Sequence, residues 1–395
     1  MILHDHPEFE NLKSIFTPVD PDICLSLLIK AGFCQESYQK FNRVKVPSDA
    51  DTRDLVIRFV LSGMPYNTYF HTSNDKSVVI AALDELRNSS VADREIIERI
   101  CVIFLRNMCW TSAFDRSAIV SSDRQPAPHI DSLLDMSSHG ALPYFVYGDS
   151  HSQIYAKFSI LSNKHWLLPI NGICHGGSAR GLINEASHLR YGARFDRFYG
   201  KIKHHIKAGG RKLFLKFGQV DIEFVHAFHR AKSGSTRFST EDFEAFCLNS
   251  VDKYFSFLTS RIDLSVRNSV YICSVCPPVL SDDTWKSGYI RVGWPMDHEV
   301  SEGNLEEEIQ LIKALEMPTL QQRTAFHRHF NDLLKTRSES TGFNYLDDSQ
   351  HFLSEDKIVD PKFTVRGKGL DCHIDPGLET ENIMAPFIHQ IVSTK

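Results

Sequence analysis

From about residue 140 onward, short apolar runs alternate with amphipathic stretches, and this alternation constrains the fold more than any other feature of the chain. The strand-like runs, which are rich in aromatic and β-branched residues, are Tyr144–Tyr147, Trp166–Ile170, Lys212–Phe217, Val270–Val275 and Phe343–Leu346. The helical stretches between them are Arg194–Ile206, Thr240–Leu258, Asn304–Leu315 and Thr319–Lys335. Strands and helices in this order predict a parallel sheet with helices on both faces. We therefore expect an α/β fold with a three-layer α/β/α, flavodoxin-like sheet.

The first 135 residues have a different pattern. Helix signals prevail there, such as the apolar run 23–29 that follows Pro21, and no convincing strand-like alternation is present. A polar, turn-rich stretch at 121–128 separates this part from the alternating part. The sequence predicts a mostly α-helical domain over residues 1–135 and an α/β/α domain over residues 136–395.

The composition indicates an ordinary globular protein. Hydrophobic residues make up 42% of the 395 residues and charged residues 24%, and the net charge of −5 predicts no nucleic-acid partner. No stretch has the apolar length of a membrane span, and the first ten residues do not resemble a secretion signal. The nine scattered cysteines, an odd number, are typical of reduced thiols, so we expect a cytoplasmic protein.

Unusual residues follow the predicted strands. The first strand runs into Gly148-Asp149-Ser150, the second into the segment 171–181, and the third into Gly218-Gln219-Val220-Asp221. A further segment, 369–377, follows the last strand and contains Asp371 and His373. Carboxyl ends of parallel strands lie at one edge of a sheet, where α/β folds bind ligands. An acyl-transfer site needs a nucleophile, a base, an orienting carboxylate and oxyanion donors, and each could come from a different one of these segments.

These four segments, in this order, resemble the sequence blocks of the SGNH/GDSL hydrolase superfamily over roughly residues 140–395. The resemblance implies that Ser150 is the nucleophile, His373 the general base and Asp371 the residue that orients the imidazole. It also implies that the oxyanion is held by the Ser150 N–H, by Gly176 or Gly177, and by a side chain of the third segment.

Two positions depart from the family pattern. Val220 stands where the family has an asparagine, so Gln219 is the candidate for the missing oxyanion donor, or the hole has only two donors. One residue, rather than two, separates Asp371 from His373. In an extended segment this spacing still places both side chains on one side, and Asp375, two residues beyond, is the alternative orienting carboxylate.

Three further residues, His151, His175 and Asp221, lie next to the predicted site and are expected to contact the substrate. Trp285 and the aromatic residues that follow it are typical of a loop whose side chains stack on sugar rings. The sequence thus predicts a serine esterase for a small acyl ester, such as an O-acetyl group on a carbohydrate, that needs no metal or organic cofactor. The alternatives are an O-acyltransferase with the same residues, or a non-catalytic module that binds a glycan or protein. A protein partner would dock on the N-terminal helical domain.

Overall fold

The computed structural model describes residues 134, 137, 141–156, 159–162, 165–174, 176–187, 190–287, 310–364, 369, 371–375 and 378–394. Apart from residue 134, the predicted N-terminal helical domain lies outside these residues, as does the first half of the predicted helix Asn304–Leu315; residues 310–313 of its second half are helical. The chain divides into two compact units, and the second unit, residues 116–122, 144–157 and 169–395, contains the site described below.

A six-stranded sheet forms the framework, with the strand order β2-β3-β1-β4-β5-β6. The strands are β1 (Ala141–Asp149), β2 (Ser159–Ser162), β3 (His165–Cys174), β4 (Leu213–Lys216), β5 (Val270–Cys273) and β6 (Asn344–Leu346). Five strands are parallel, and β2 pairs antiparallel with β3 at the edge. The α/β class predicted from the sequence is confirmed, and all five predicted strands are present.

Strand β1 is the point at which the strand order reverses, because its neighbours are β3 on one side and β4 on the other. It is also buried at all but one of its positions: Tyr144, Phe145, Val146 and Tyr147 are fully enclosed, as a central parallel strand requires. Its partner β4 lies in register, with Gly148 opposite Lys216. Open α/β sheets bind ligands at such a reversal, at the carboxyl ends of the strands, and β1 ends there at Asp149.

The six helices whose bounds lie within the described residues connect or cover these strands. They are α1 (Tyr191–Gly209), α2 (His226–Ser233), α3 (Thr240–Arg261), α4 (Asp282–Lys286), α5 (Leu320–Thr341) and α6 (Leu378–Val392). A capping box begins α5, since Thr319 and Gln322 bond reciprocally. Among the described residues, no helix has the length and apolar composition that crossing a bilayer requires.

Gly148 lets β1 pass close to β4. A Cβ atom at this position would lie against the Lys216 carbonyl oxygen and 2.7 Å from the Cβ of Ser152. We expect Gly148→Ala to lower the free energy of unfolding by roughly 1–3 kcal/mol, the usual cost of overpacking a core. Urea denaturation would measure this change. The matched control is Gly200→Ala in α1, where a Cβ meets nothing within 4 Å. There alanine should stabilise by about 0.5–1 kcal/mol, and an equal loss at both positions would contradict the account.

Candidate active site

The turn after β1 is held by Asp149. This carboxylate is fully buried, and its Oδ1 accepts a hydrogen bond from the backbone N–H of His151 at 2.9 Å. The hydroxyl of Ser152 donates to the carbonyl of Asp149 at 2.7 Å. A short 3-10 helix, Ser150–Ile154, therefore begins directly after the strand. Its first residue, Ser150, stands at the carboxyl edge of the sheet.

Ser150, His373 and Asp371 form an unbroken hydrogen-bonded chain. The Oγ of Ser150 lies 2.7 Å from the Nε2 of His373. The Nδ1 on the other side of that imidazole lies 2.5 Å from the Oδ1 of Asp371. The backbone N–H of His373 donates to the same oxygen at 2.9 Å. The structure thus brings together a serine and a histidine that are 223 positions apart.

The loop that carries His373 is fixed directly after that residue. An isolated antiparallel bridge joins Thr364 to Ile374, and the backbone N–H of Asp375 donates to the carbonyl of Phe363 at 2.8 Å. The Nδ1 of His373 is bonded to Asp371, and Asp375, the alternative orienting carboxylate, contributes its backbone to the bridge region instead. Spacing alone could not separate these two aspartates.

The site contains a second Asp-x-His pair that mirrors the first. The Oδ1 of Asp149 lies 3.1 Å from the Nδ1 of His151, as Asp371 lies against His373. The two imidazole rings are stacked, with centroids 4.5 Å apart and planes inclined by 28°. His151 is only 3% exposed, so it packs behind His373 rather than facing solvent. The repeated Asp-x-His spacing is a signal in the sequence that could have identified this pairing.

Cys372 is a residue of the site that the sequence analysis did not single out. Its side chain is buried in an apolar cluster with Val220, Leu280 and Trp285. Its Sγ atom lies 3.5 Å from the Nδ1 and 3.9 Å from the Nε2 of His373. Burial alone would raise the pKa of the Cys372 thiol, but contact with His151 and His373 lowers it.

The glycines of the second segment differ in their surroundings. Gly176 is exposed and adopts a φ of +67°, a conformation that favours glycine. Gly177 is buried, and its N–H donates to the carbonyl of Cys174 at 2.8 Å, which closes a tight turn. The N–H of Gly177 is thus engaged inside the turn. His175, predicted to contact the substrate, lies outside the described residues.

The side-chain amide of Gln219 makes its hydrogen bonds to groups outside the Ser150–His373–Asp371 chain. Its Nε2 donates to the Oε1 of Glu223 at 2.6 Å and to the carbonyl of Cys276 at 3.2 Å. Its Oε1 accepts from the N–H of Cys276 at 2.8 Å. Both amide hydrogens therefore have acceptors within the protein, and the side chain ties the end of β4 to the segment after β5.

Asp221, predicted to contact the substrate, is fully buried beneath the second segment. Its carboxylate accepts the N–H of Ala179 at 2.6 Å and that of Arg180 at 3.2 Å. Burial raises the pKa of Asp221 to about 7, although both backbone donors act in the opposite direction. The carboxylate therefore fixes the loop that contains Gly176 and Gly177.

The surroundings of the hydrogen-bonded chain shift the pKa values of Asp371 and His373 in opposite directions. Burial would raise the pKa of Asp371, but the hydrogen bonds and charge of His373 lower it to about 2. Burial and the charge of His151 lower the pKa of His373, whereas hydrogen bonds to Asp371 and Cys372 raise it to about 9. The pair thus favours an ionised carboxylate beside an imidazole of increased basicity.

Trp285 corrects one expectation. It lies in α4 and is only 2% exposed, because it packs in the apolar cluster with Cys372 and Leu280. Its indole is therefore unavailable for stacking on a sugar ring. The other aromatic residues of that predicted loop lie outside the described residues.

The comparisons with known proteins add no identification. Neither a protein-family model, nor a curated protein, nor a solved structure matches this chain.

Proposed function

We propose that this chain is a serine hydrolase of the SGNH/GDSL type that cleaves a small acyl ester, such as an O-acetyl group on a carbohydrate. The single observation that carries the proposal is the hydrogen-bonded chain from Ser150 through His373 to Asp371. A serine beside one imidazole nitrogen, with a carboxylate on the other, is the general arrangement of nucleophile, base and orienting group. Its position at the end of β1, where the strand order reverses, supports a ligand site at this edge.

In the proposed reaction, the Oγ of Ser150 attacks the ester carbonyl and transfers its proton to the Nε2 of His373. Asp371 holds the Nδ1–H of the imidazole and stabilises the imidazolium that forms. His373 then gives the proton to the leaving alcohol, and an acyl-enzyme remains. Water, deprotonated by His373, attacks this ester and releases the acid and free Ser150.

The tetrahedral oxyanion needs donors near Ser150. Since the amide of Gln219 and the N–H of Gly177 have acceptors within the protein, we assign the Ser150 N–H and the Gly176 N–H to this role. Asp221 supports the second donor indirectly, because it fixes the following loop through Ala179 and Arg180. The hole would then have two backbone donors and no side-chain amide.

The exposure of the site supports a bulky, polar leaving group. The side chains of His373 and Asp371 are 33% and 42% exposed, so an alcohol larger than the acyl group can approach from solvent. The five described cysteines are buried and form no disulfide with one another, which supports a reducing compartment such as the cytoplasm.

The pH dependence should follow His373. Only the neutral imidazole can accept the proton of Ser150, and the pKa of His373 is raised from 6.5 to about 9 by hydrogen bonds to Asp371 and Cys372, against burial and the charge of His151. We therefore expect kcat/KM to increase with pH through the alkaline range, with a midpoint near 9. The measurement is a pH profile corrected for spontaneous hydrolysis and recorded with EDTA. A midpoint below 6.5 would contradict the assignment.

The proposed activity is tested with a series of p-nitrophenyl esters from acetate to longer chains. We expect the full chain to release p-nitrophenol, with the highest kcat/KM for acetate. Acetylated monosaccharides, assayed by acetate release, then test the carbohydrate part. If the folded protein hydrolysed no ester of the series, the proposed function would be wrong.

A further inference from the structure

Two imidazoles and a thiol converge beside the proposed nucleophile. His151, Cys372 and His373 each offer one ligand atom, and these three atoms lie within 4.8 Å of one another. Imidazole nitrogen and thiolate sulfur are the ligands that Zn²⁺ prefers in proteins. With bonds of about 2.0–2.3 Å, ligand atoms of a tetrahedral zinc site lie roughly 3.5 Å apart. Side-chain movements of about 1 Å would therefore form such a site.

Both imidazoles are oriented as metal ligands are. Asp149 contacts the Nδ1 of His151, and Asp371 contacts the Nδ1 of His373, so each ring directs its Nε2 away from its carboxylate. A carboxylate behind the histidine is the usual support of a zinc ligand, because it fixes the ring and increases its basicity. The Nε2 of His151 is buried and makes no hydrogen bond to nitrogen or oxygen of the described residues.

We infer that His151, Cys372 and His373 form a zinc site through which Zn²⁺ inhibits the hydrolase. The inhibition rests on the proposed function, whereas metal binding does not. Zn²⁺ would be held by the Nε2 atoms of both histidines and by the Sγ of Cys372; the thiol proton and any proton on either Nε2 are released to solvent. The Nε2 of His373 then no longer accepts the proton of Ser150, which it contacts at 2.7 Å in the free protein. Because the side chain of His373 is partly exposed, the ion can reach the site from solvent.

Metal binding is tested with Co²⁺ as a spectroscopic probe on the full chain, after treatment with a chelator and a phosphine reductant. We expect a thiolate-to-cobalt charge-transfer band in the wild type that Zn²⁺ abolishes by displacement. Cys372→Ala should lack the band, while the control Cys247→Ala, which removes another buried thiol, should retain it. Circular dichroism verifies that each variant is folded. His151→Gln, a second variant, should weaken Co²⁺ binding roughly tenfold or more.

Absence of the band in the folded wild type, or its persistence in Cys372→Ala, would overturn the inference. In the ester assay, Zn²⁺ should inhibit the wild type reversibly, and Cys372→Ala should need roughly tenfold more Zn²⁺ for half-inhibition. Equal inhibition of both proteins would contradict inhibition through this site. A Co²⁺ band in a chain that hydrolyses no ester would count against the proposed function and leave the metal site supported. Ester hydrolysis by a chain that shows no Co²⁺ band would support the proposed function and overturn the metal site.

Discussion

Replacing Ser150 by alanine is expected to reduce kcat for ester hydrolysis by roughly 10⁴–10⁶-fold, because the hydroxyl that forms the acyl-enzyme is removed. The loss should appear in kcat rather than KM, since the hydroxyl makes its decisive bond only in the transition state and acyl intermediate. The fold should be unaffected. Ser150 stands at the start of a short 3-10 helix, and its hydroxyl reaches outward to His373. Steady-state kinetics on p-nitrophenyl acetate measure the effect.

The matched control for this substitution is Ser152→Ala. Ser152 lies in the same short helix, but it is buried and its hydroxyl donates to the Asp149 carbonyl. Removing that hydrogen bond should cost about 1 kcal/mol of stability and little activity. If Ser150→Ala kept the wild-type rate, or if Ser152→Ala lost as much activity as Ser150→Ala, Ser150 would not be the nucleophile.

Replacing Asp371 by asparagine should reduce kcat by roughly 10³–10⁴-fold, as expected when the imidazole is held in the wrong tautomer. The amide could direct its N–H₂ group at the Nδ1 of His373, which would then carry its proton on Nε2 and be unable to accept that of Ser150. The substitution also removes a hydrogen bond that raises the pKa of His373. The pH profile of the remaining activity should therefore have a lower midpoint than that of the wild type. Parallel pH profiles of the two proteins measure both effects.

Asp375→Asn is the control for this prediction. Asp375 is the carboxylate at the same spacing on the other side of His373, and its backbone N–H is bonded to Phe363. We expect it to lose far less activity than Asp371→Asn. The opposite order would show that the orienting group is Asp375 and that the loop has a different arrangement in solution.

The fold was predictable where the local pattern was strong. The strands that became β1, β4 and β5 contain continuous apolar runs, and the capping box of α5 is a local signal between Thr319 and Gln322. β2 was missed because Ser159–Ser162 is short and half polar, so it carries no clear strand pattern. It pairs antiparallel with β3, with Ser162 opposite His165, and the composition of four residues does not show that pairing.

The site was predictable only in part, for the same physical reason. Element order and the resemblance led to Ser150, His373 and Asp371, and the structure places these three in hydrogen-bond contact. The surroundings of Gln219 depend on Cys276, which is 57 positions away, and no local pattern encodes such a contact. The loop contacts of Asp221 with Ala179 and Arg180 likewise join residues 42 and 41 positions apart.

The most direct test of the central claim is to identify the residue that reacts with a fluorophosphonate probe, which forms a stable adduct with activated serines. We expect the wild-type chain to be labelled once, and peptide mass spectrometry should place the adduct on Ser150. Ser150→Ala should remain unlabelled, and Asp371→Asn should react much more slowly than the wild type. A folded wild type that stays unlabelled, or an adduct on a different residue, would contradict the account.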